Sequence, residues 1–289
     1  MKQNNADYQV VPTQGRRAMA FAMRSVQRKP MIHGLIEVDV TRARAFLREH
    51  KANTGESLSF TAFIATCLGK AVDENKAVQA YYKGRKRLIL FNEVDVATPI
   101  ERDVAGQKQP TIYIIRAANK KTFREIHQEI RTAKVGEEVK AWTPATDKNW
   151  VLFLPTFLIR FFFWAFWGIC RTYPQVQKNV LGTVGLTAVG MFGEGAGWGI
   201  PPATPQTLYI TVGGIGVKRE VVDGSIAMRD YLSLTISFDH EMIDGAPAAR
   251  FTGRLKDLIE SSYGLDDSTV ESEQAVAPGT SKKSKSGSH

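Results

Sequence analysis

SFDHEMIDGAPAARF, residues 237–251, is the stretch on which the reading of this chain turns. It sets His240 four residues before Asp244, with Gly245 next and a run of small residues after it. The run from Tyr231 to Phe238 alternates apolar and polar residues as a half-buried strand does, and the residues after Gly245 read as a helix. His240 is therefore predicted at a strand end, beside a turn opened by Asp244 and Gly245. An imidazole there can reach into a cleft while the sheet holds its backbone. Neutral imidazole accepts a proton near pH 7 without a large pKa shift, which suits a general base. The spacing alone is a weak signal, because a histidine and an aspartate four apart are common and a lone histidine is more often structural.

The surroundings add weight. GRRAMAFAMRSVQRKP, GLIEVDVTRARAFLRE, SLSFTAFIATCLGKAVDENKAVQAYY, VDVATPIERD, TIYIIRAANKKTFREIHQEI, GTVGLTAVGMFG and PPATPQTLYITVGGIGVK precede the His240 segment in that order. From about Gly15 to Glu260 this series resembles the catalytic domain of the dihydrolipoamide acyltransferases, the core subunits of 2-oxoacid dehydrogenase complexes. That family shares its fold with chloramphenicol acetyltransferase. The resemblance implies an α/β fold with a mixed β-sheet and flanking helices. It implies an opening helix over the first segment, the first core strand and a helix over the second, and a helix over the third. Two central strands and a helix follow over the fourth and fifth.

By the same resemblance His240 and Asp244 fall on the histidine and acidic positions of the family motif. Thr187, in GLTAVG, falls on the hydroxyl position. The implied reaction begins with the histidine taking the proton from a thiol, of coenzyme A or of dihydrolipoamide. The thiolate attacks an acyl thioester, the hydroxyl donates to the oxyanion, and the aspartate fixes local structure. The chemistry fits these residue types. A positioned base contributes about 10²–10⁴-fold, and one donor aimed at a developing oxyanion about 3 kcal/mol. Glu241 departs from the family, which often has a basic residue there, and this bears on coenzyme A selectivity. The resemblance also implies a homotrimer with His240 of one subunit facing Thr187 of a neighbour. Residues 1–14, read as a flexible N-terminus, are too short for a lipoyl or peripheral-subunit-binding domain. A lipoamide acceptor is therefore expected on a separate, lipoyl-bearing or dehydrogenase partner chain.

Composition bounds the rest. A chain of 289 residues with no internal repeat reads as one domain over residues 15–262 and a polar, disordered tail over 263–289. The tail lacks the apolar anchor with which the family builds cages, and its Lys282, Lys283 and Lys285 offer a weaker partner-binding reading. Cys67 and Cys170 sit in apolar surroundings and read as buried, reduced thiols. No metal-ligand spacing occurs and no signal peptide opens the chain, so a cytoplasmic protein without a metal is expected. The formal net charge is +9. Basic runs at Arg16, Arg17, Arg24, Arg28 and Lys29, and at Lys83, Arg85, Lys86 and Arg87, read as solvated faces or as attraction for coenzyme A phosphates or an acidic partner. They are not interleaved with stacking aromatics, which argues against nucleic acid. The glycines of GTVGLTAVGMFGEGAGWGIPP match no phosphate loop and are expected to allow close packing around the Thr187 strand.

One segment stands outside the pattern. WVLFLPTFLIRFFFWAFWGIC, residues 150–170, approaches the ~20 residues of a membrane span. Arg160 at its centre opposes a span by roughly 2.5–3.5 kcal/mol. A single crossing would also split Thr187 and His240 from the earlier strands. Three readings stay open for this insertion, taken as residues 150–174. It covers the fold or packs on another subunit, it makes a peripheral membrane contact, or it lines the acyl pocket. For the whole chain, two rivals to thiol acyl transfer remain: an acyltransferase acting on a small alcohol or amine, and a non-catalytic trimeric scaffold for dehydrogenase or membrane partners.

Overall fold

Two long strands with clear alternation, Leu208–Val222 and Ser225–Asp239, pair as an antiparallel hairpin at the heart of the sheet. The structure is a computed structural model that describes residues 24, 29–83, 86–104, 107–135, 156–190, 195–222 and 224–265. All of the expected opening helix over 15–30 except residues 24, 29 and 30, the flexible residues 1–14 and most of the tail lie outside these. In chain order the strands are β1 (Met31–Asp39), β2 (Tyr81–Lys83), β3 (Arg87–Ile89), β4 (Val96–Val104), β5 (Gln107–Ile115), β6 (Val184–Ala188), β7 (Leu208–Val222) and β8 (Ser225–Asp239). The helices are α1 (Thr41–Thr54), α2 (Phe60–Glu74), α3 (Phe123–Val135), α4 (Thr156–Thr172), α5 (Pro174–Leu181) and α6 (Gly245–Glu260).

Six strands form one mixed sheet in the order β1-β8-β7-β6-β4-β5, and β2 and β3 form a separate hairpin. β6 runs parallel to β4 and β7, and the other neighbours are antiparallel. The expected mixed sheet with flanking helices is therefore what the chain forms. One expectation is corrected: β4 lies inside the sheet, but β5 is its edge rather than a central strand. TIYII has the apolar density of an inner strand, yet lateral position is set by partners distant in the chain, which local pattern does not carry.

Strand periodicity of two gives the sheet two faces. Leu208, Ile210 and Val212 of β7 and Leu232, Leu234, Ile236 and Phe238 of β8 point to one of them. That face carries the core, covered by α1, α2, α3 and α6. α2 is apolar almost all round because it is buried almost all round, and Ser59 caps it by accepting from the Ala62 N–H at 3.2 Å. α6 buries Ala248, Phe251, Leu255, Leu258 and Ile259, the spacing of a single helical stripe. Leu265, just past it, is also fully buried. Cys67 and Cys170 are both buried free thiols, and burial pushes both up, so they stay protonated near neutral pH.

The opposite face is polar yet buried: Thr211, Ser233, Thr235, Ser237 and Asp239 line it. Residues after Gly195 fold back over it. The Gly197 N–H donates to Ser233 Oγ at 3.2 Å, and Gly197 bridges Gly214. Backbones approach so closely there that a Cβ on Gly213 would sit 2.1 Å from the Gly197 carbonyl oxygen. The glycine-rich run thus packs against the sheet beside the Thr187 strand.

A charged cluster pins α3 to the start of α2. His127 Nδ1 accepts from the Ser59 N–H at 3.1 Å, its Nε2 lies 3.4 Å from Glu56, and Arg124 binds Glu56 at 2.7 Å. The Arg124 hydrogen bond, aided by His50 and opposed by burial, holds the Glu56 carboxyl at about 2 instead of 4.5. Burial lowers His127 from 6.5, and protonation would also cost it the acceptor for Ser59. A carboxyl held low stabilises fully above about 4.5 and loses that as pH falls through about 2. A histidine held low loses stability once pH drops below about 6.5, because the unfolded chain takes a proton that the folded ring refuses. Urea midpoints measured against pH should fall first below about 6.5 and again between about 4.5 and 2. His127→Gln should remove the first decline, and Glu56→Gln should make the second shallower.

Candidate active site

β8 ends on Asp239, and the chain turns at once through His240, Glu241 and Met242 before α6 begins at Gly245. The turn is held by Asp239. Its carbonyl accepts from the Met242 and Ile243 N–H groups at 3.0 Å each, and its Oδ1 accepts from the Glu241 N–H at 3.1 Å. Its Oδ2 meets the Lys29 ammonium at 2.8 Å, and Lys29 also donates to the Pro205 carbonyl at 3.0 Å. A carboxylate this deeply buried needs such partners, because an unpaired charge in the interior is costly. Lys29 therefore belongs to the interior of the site and not to a solvated basic face. Asp239 was not singled out from sequence. Its signal is an acid one residue before the histidine, at a strand position facing the polar side.

His240 is where the sequence places it. Its N–H donates to the Pro30 carbonyl at 2.8 Å, which locks the backbone, while the side chain remains 43% exposed. Nδ1 lies 3.8 Å from Asp244 Oδ1, beyond hydrogen-bond range. Asp244 is the residue that precedes α6, and its side chain is 87% exposed. There the helix dipole favours its charge, and water screens its pull on His240. Gly245 opens the helix instead of forming the expected turn, which falls at His240–Met242. The Tyr82 hydroxyl, on the β2–β3 hairpin, donates to the Glu241 carbonyl at 3.2 Å, so the hairpin leans on this turn. The Glu241 side chain is exposed.

Thr187 lies half-buried on β6, in register with Thr211 of β7, which pairs with Thr235 of β8. The three threonines form a row across the polar face, and the Thr211 and Thr235 hydroxyls have no hydrogen-bond partner among the described residues. Tyr209 is a second residue that sequence reading missed. Its ring lies over Gly185, where a Cβ would sit 2.1 Å from it. Burial raises its hydroxyl, and the neighbouring Thr187 hydroxyl opposes that rise.

The structure does not bring His240 and Thr187 together within one chain. They are separated by two strand spacings and by the five-residue step from Thr235 to His240 just past the end of β8, roughly 19 Å between backbones. An imidazole and a hydroxyl cannot span that. An open pocket of about 730 Å³, lined by Glu56, Ser59, His127 and Arg131 among others, holds neither residue. It belongs to the structural cluster between α2 and α3.

Lys29→Met would leave the Asp239 carboxylate buried without its cation. It should cost about 3 kcal/mol of stability in urea unfolding. Adding Asp239→Asn should recover much of that loss.

Comparisons with known proteins identify the family and the fold. The family model described as 2-oxoacid dehydrogenases acyltransferase (catalytic domain) matches residues 5–144 and 175–265. The lipoamide acyltransferase component of the branched-chain alpha-keto acid dehydrogenase complex of Bacillus subtilis is 27% identical over 91% of this chain and 54% of its own length. The dihydrolipoyllysine-residue acetyltransferase component of the pyruvate dehydrogenase complex of Corynebacterium glutamicum is 40% identical over 79% of this chain and 30% of its own. The chain thus spans about half or less of these curated relatives. Among solved structures, a probable dihydrolipoamide acetyltransferase of Listeria monocytogenes superposes with a TM-score of 0.64 at 22% identity, covering 89% of this chain and 97% of that one. The dihydrolipoamide acetyltransferase of Azotobacter vinelandii gives 0.63 at 20%, covering 91% and 96%. The stretch that the family model passes over, 145–174, contains the whole of α4 and none of the site.

Proposed function

The chain belongs to the acyltransferase catalytic-domain family of the 2-oxoacid dehydrogenases, and from that premise we propose that it moves an acyl group between a coenzyme A thioester and a thiol acceptor, dihydrolipoamide carried on a separate chain. The observation that supports this most is the state of His240. Its backbone is locked at a strand end while half of its imidazole faces outward. Nδ1 faces Asp244, and Nε2 has no partner among the described residues, which leaves it free to receive a proton.

In the proposed reaction Nε2 of His240 takes the thiol proton. The thiolate sulfur attacks the thioester carbon, and the carbonyl π electrons move onto its oxygen. Thr187 donates its single O–H to that oxyanion. Collapse re-forms the carbonyl and expels the second sulfur, which takes the proton back from His240. Asp244 acts structurally at the start of α6, and Asp239 with Lys29 keeps the turn in place. No acyl-enzyme is needed.

Because His240 and Thr187 of one chain lie roughly 19 Å apart, the site we propose is completed by a second copy in a homotrimer. The protruding ends of β7 and β8 suit such a contact. They expose Val217, Val221, Ile226 and Met228, whose register puts them on one side of the hairpin.

His240→Ala should lower acyl exchange between acetyl-coenzyme A and dihydrolipoamide by roughly 10²–10⁴-fold. Thr187→Val should lower it by about 10²–10³-fold, and Thr187→Ser should retain most of it. Co-refolding the two inactive variants should restore part of the activity, since mixed assemblies hold sites with one intact residue from each chain. Mixed assemblies that stay inactive would refute the shared site. Turnover of small alcohols or amines in place of dihydrolipoamide would redirect the acceptor.

A further inference from the structure

Helix α4 presents a problem that the acyltransferase site does not solve. Its C-terminal part packs inward: Cys170 is buried beside Tyr81 of β2, and α5 lies against it. Its other side exposes Phe157, Phe161, Phe162, Trp164 and Ile169, with Phe157 68% and Trp164 73% exposed. Positions 157, 161 and 164 share one stripe, and 162 and 169 lie roughly 100° further round the helix. A helix apolar on both faces is normally covered on both. No described helix is long and apolar enough to cross a membrane.

The charge around the stripe indicates what does. The β2–β3 hairpin, on which α4 packs, exposes Tyr82, Leu88 and Leu90 together with Lys83, Lys86 and Arg87. None of these three cations has an ion pair among the described residues. From Trp150 to Leu181 and from Tyr81 to Leu90 the sequence contains no Asp or Glu. Glu241 meets the hairpin through its carbonyl, which leaves one exposed carboxylate near three exposed cations. A two-fold contact with a second copy would set this cationic patch against itself with no acid on α4, α5 or the hairpin to answer it. An anionic lipid surface answers both features. Its headgroups offer the opposite charge, and its acyl boundary accepts Phe side chains with Trp and Tyr at headgroup level.

We infer that α4 and the β2–β3 hairpin form a peripheral docking face for an anionic membrane surface, with the aromatic stripe seated in the interface and Lys83, Lys86 and Arg87 on the headgroups. Docked in this way, the protein holds the His240 turn, tied to the hairpin by Tyr82, on its membrane-facing side.

The test is sedimentation of the full chain with vesicles of phosphatidylcholine mixed with phosphatidylglycerol, and with vesicles of phosphatidylcholine alone. The chain should partition onto the mixed vesicles and far less onto the neutral ones. Phe161→Glu with Trp164→Glu should lower partitioning about tenfold or more, and each of Lys83→Gln, Lys86→Gln and Arg87→Gln about fivefold. All these positions are exposed, and an unchanged melting curve confirms folding. Equal binding to both vesicle types, no binding to either, or undiminished binding by the double glutamate variant would overturn the inference. So would light scattering in which wild type self-associates, the glutamate variant does not, and neither binds lipid. That outcome would assign the face to a second copy.

Discussion

A single buried carboxylate organises the turn that carries His240. Asp239 closes β8 and receives hydrogen bonds on its carbonyl and one side-chain oxygen from the turn that follows, while Lys29 neutralises its other oxygen. Three distant segments meet there: the approach to β1, the turn before β7 through Pro205, and the start of α6. An ion pair of this kind adds little net stability over apolar packing, yet its loss is costly, because the remaining charge cannot return to water. That asymmetry suits a position where geometry matters more than stability. It holds the backbone of His240 still and leaves the imidazole free.

The sheet imposes the second constraint. Its apolar face is filled by α1, α2, α3 and α6, so any chemistry must occur on the polar face or at its ends. Thr187 lies on that polar face, two strands from β8, and His240 lies past the end of β8. A rigid sheet cannot bring two such positions together by bending. A site that used both would need a second molecule, and the arm of β7 and β8 is exposed. The aromatic helix α4 lies within the stretch where the chain departs from its family. Its exposed rings serve neither the core nor the polar row.

Much of this was legible in the chain. The alternation from Tyr231 to Phe238 foretold β8 and the placement of His240 at its end, and the small-residue run foretold α6. The glycines around Thr187 foretold close backbone packing, which Gly185 under the Tyr209 ring and Gly213 against Gly197 both display. The turn itself was misassigned. Asp244 and Gly245 read as turn residues, but Asp239 supplies the turn from the other side, and Gly245 starts the helix. Lys29 looked like one member of a basic surface run, and its pairing with Asp239 could not be read from neighbours in sequence.

By itself the sequence determined what short-range physics controls: which residues form strands and helices, which face of each is apolar, and which side chains have groups able to accept a proton or donate to an oxygen. Those follow from periodicities of two and of about 3.6 residues and from the functional groups themselves. Only the tertiary structure decided the lateral order of strands, with β5 at the edge. It alone decided that Lys29 meets Asp239, that His240 and Thr187 stand apart in one chain, and that α4 turns Phe157, Phe161, Phe162 and Trp164 outward. Each of these is a relation between residues far apart along the polypeptide, settled by which surfaces bury against which when the whole chain packs at once.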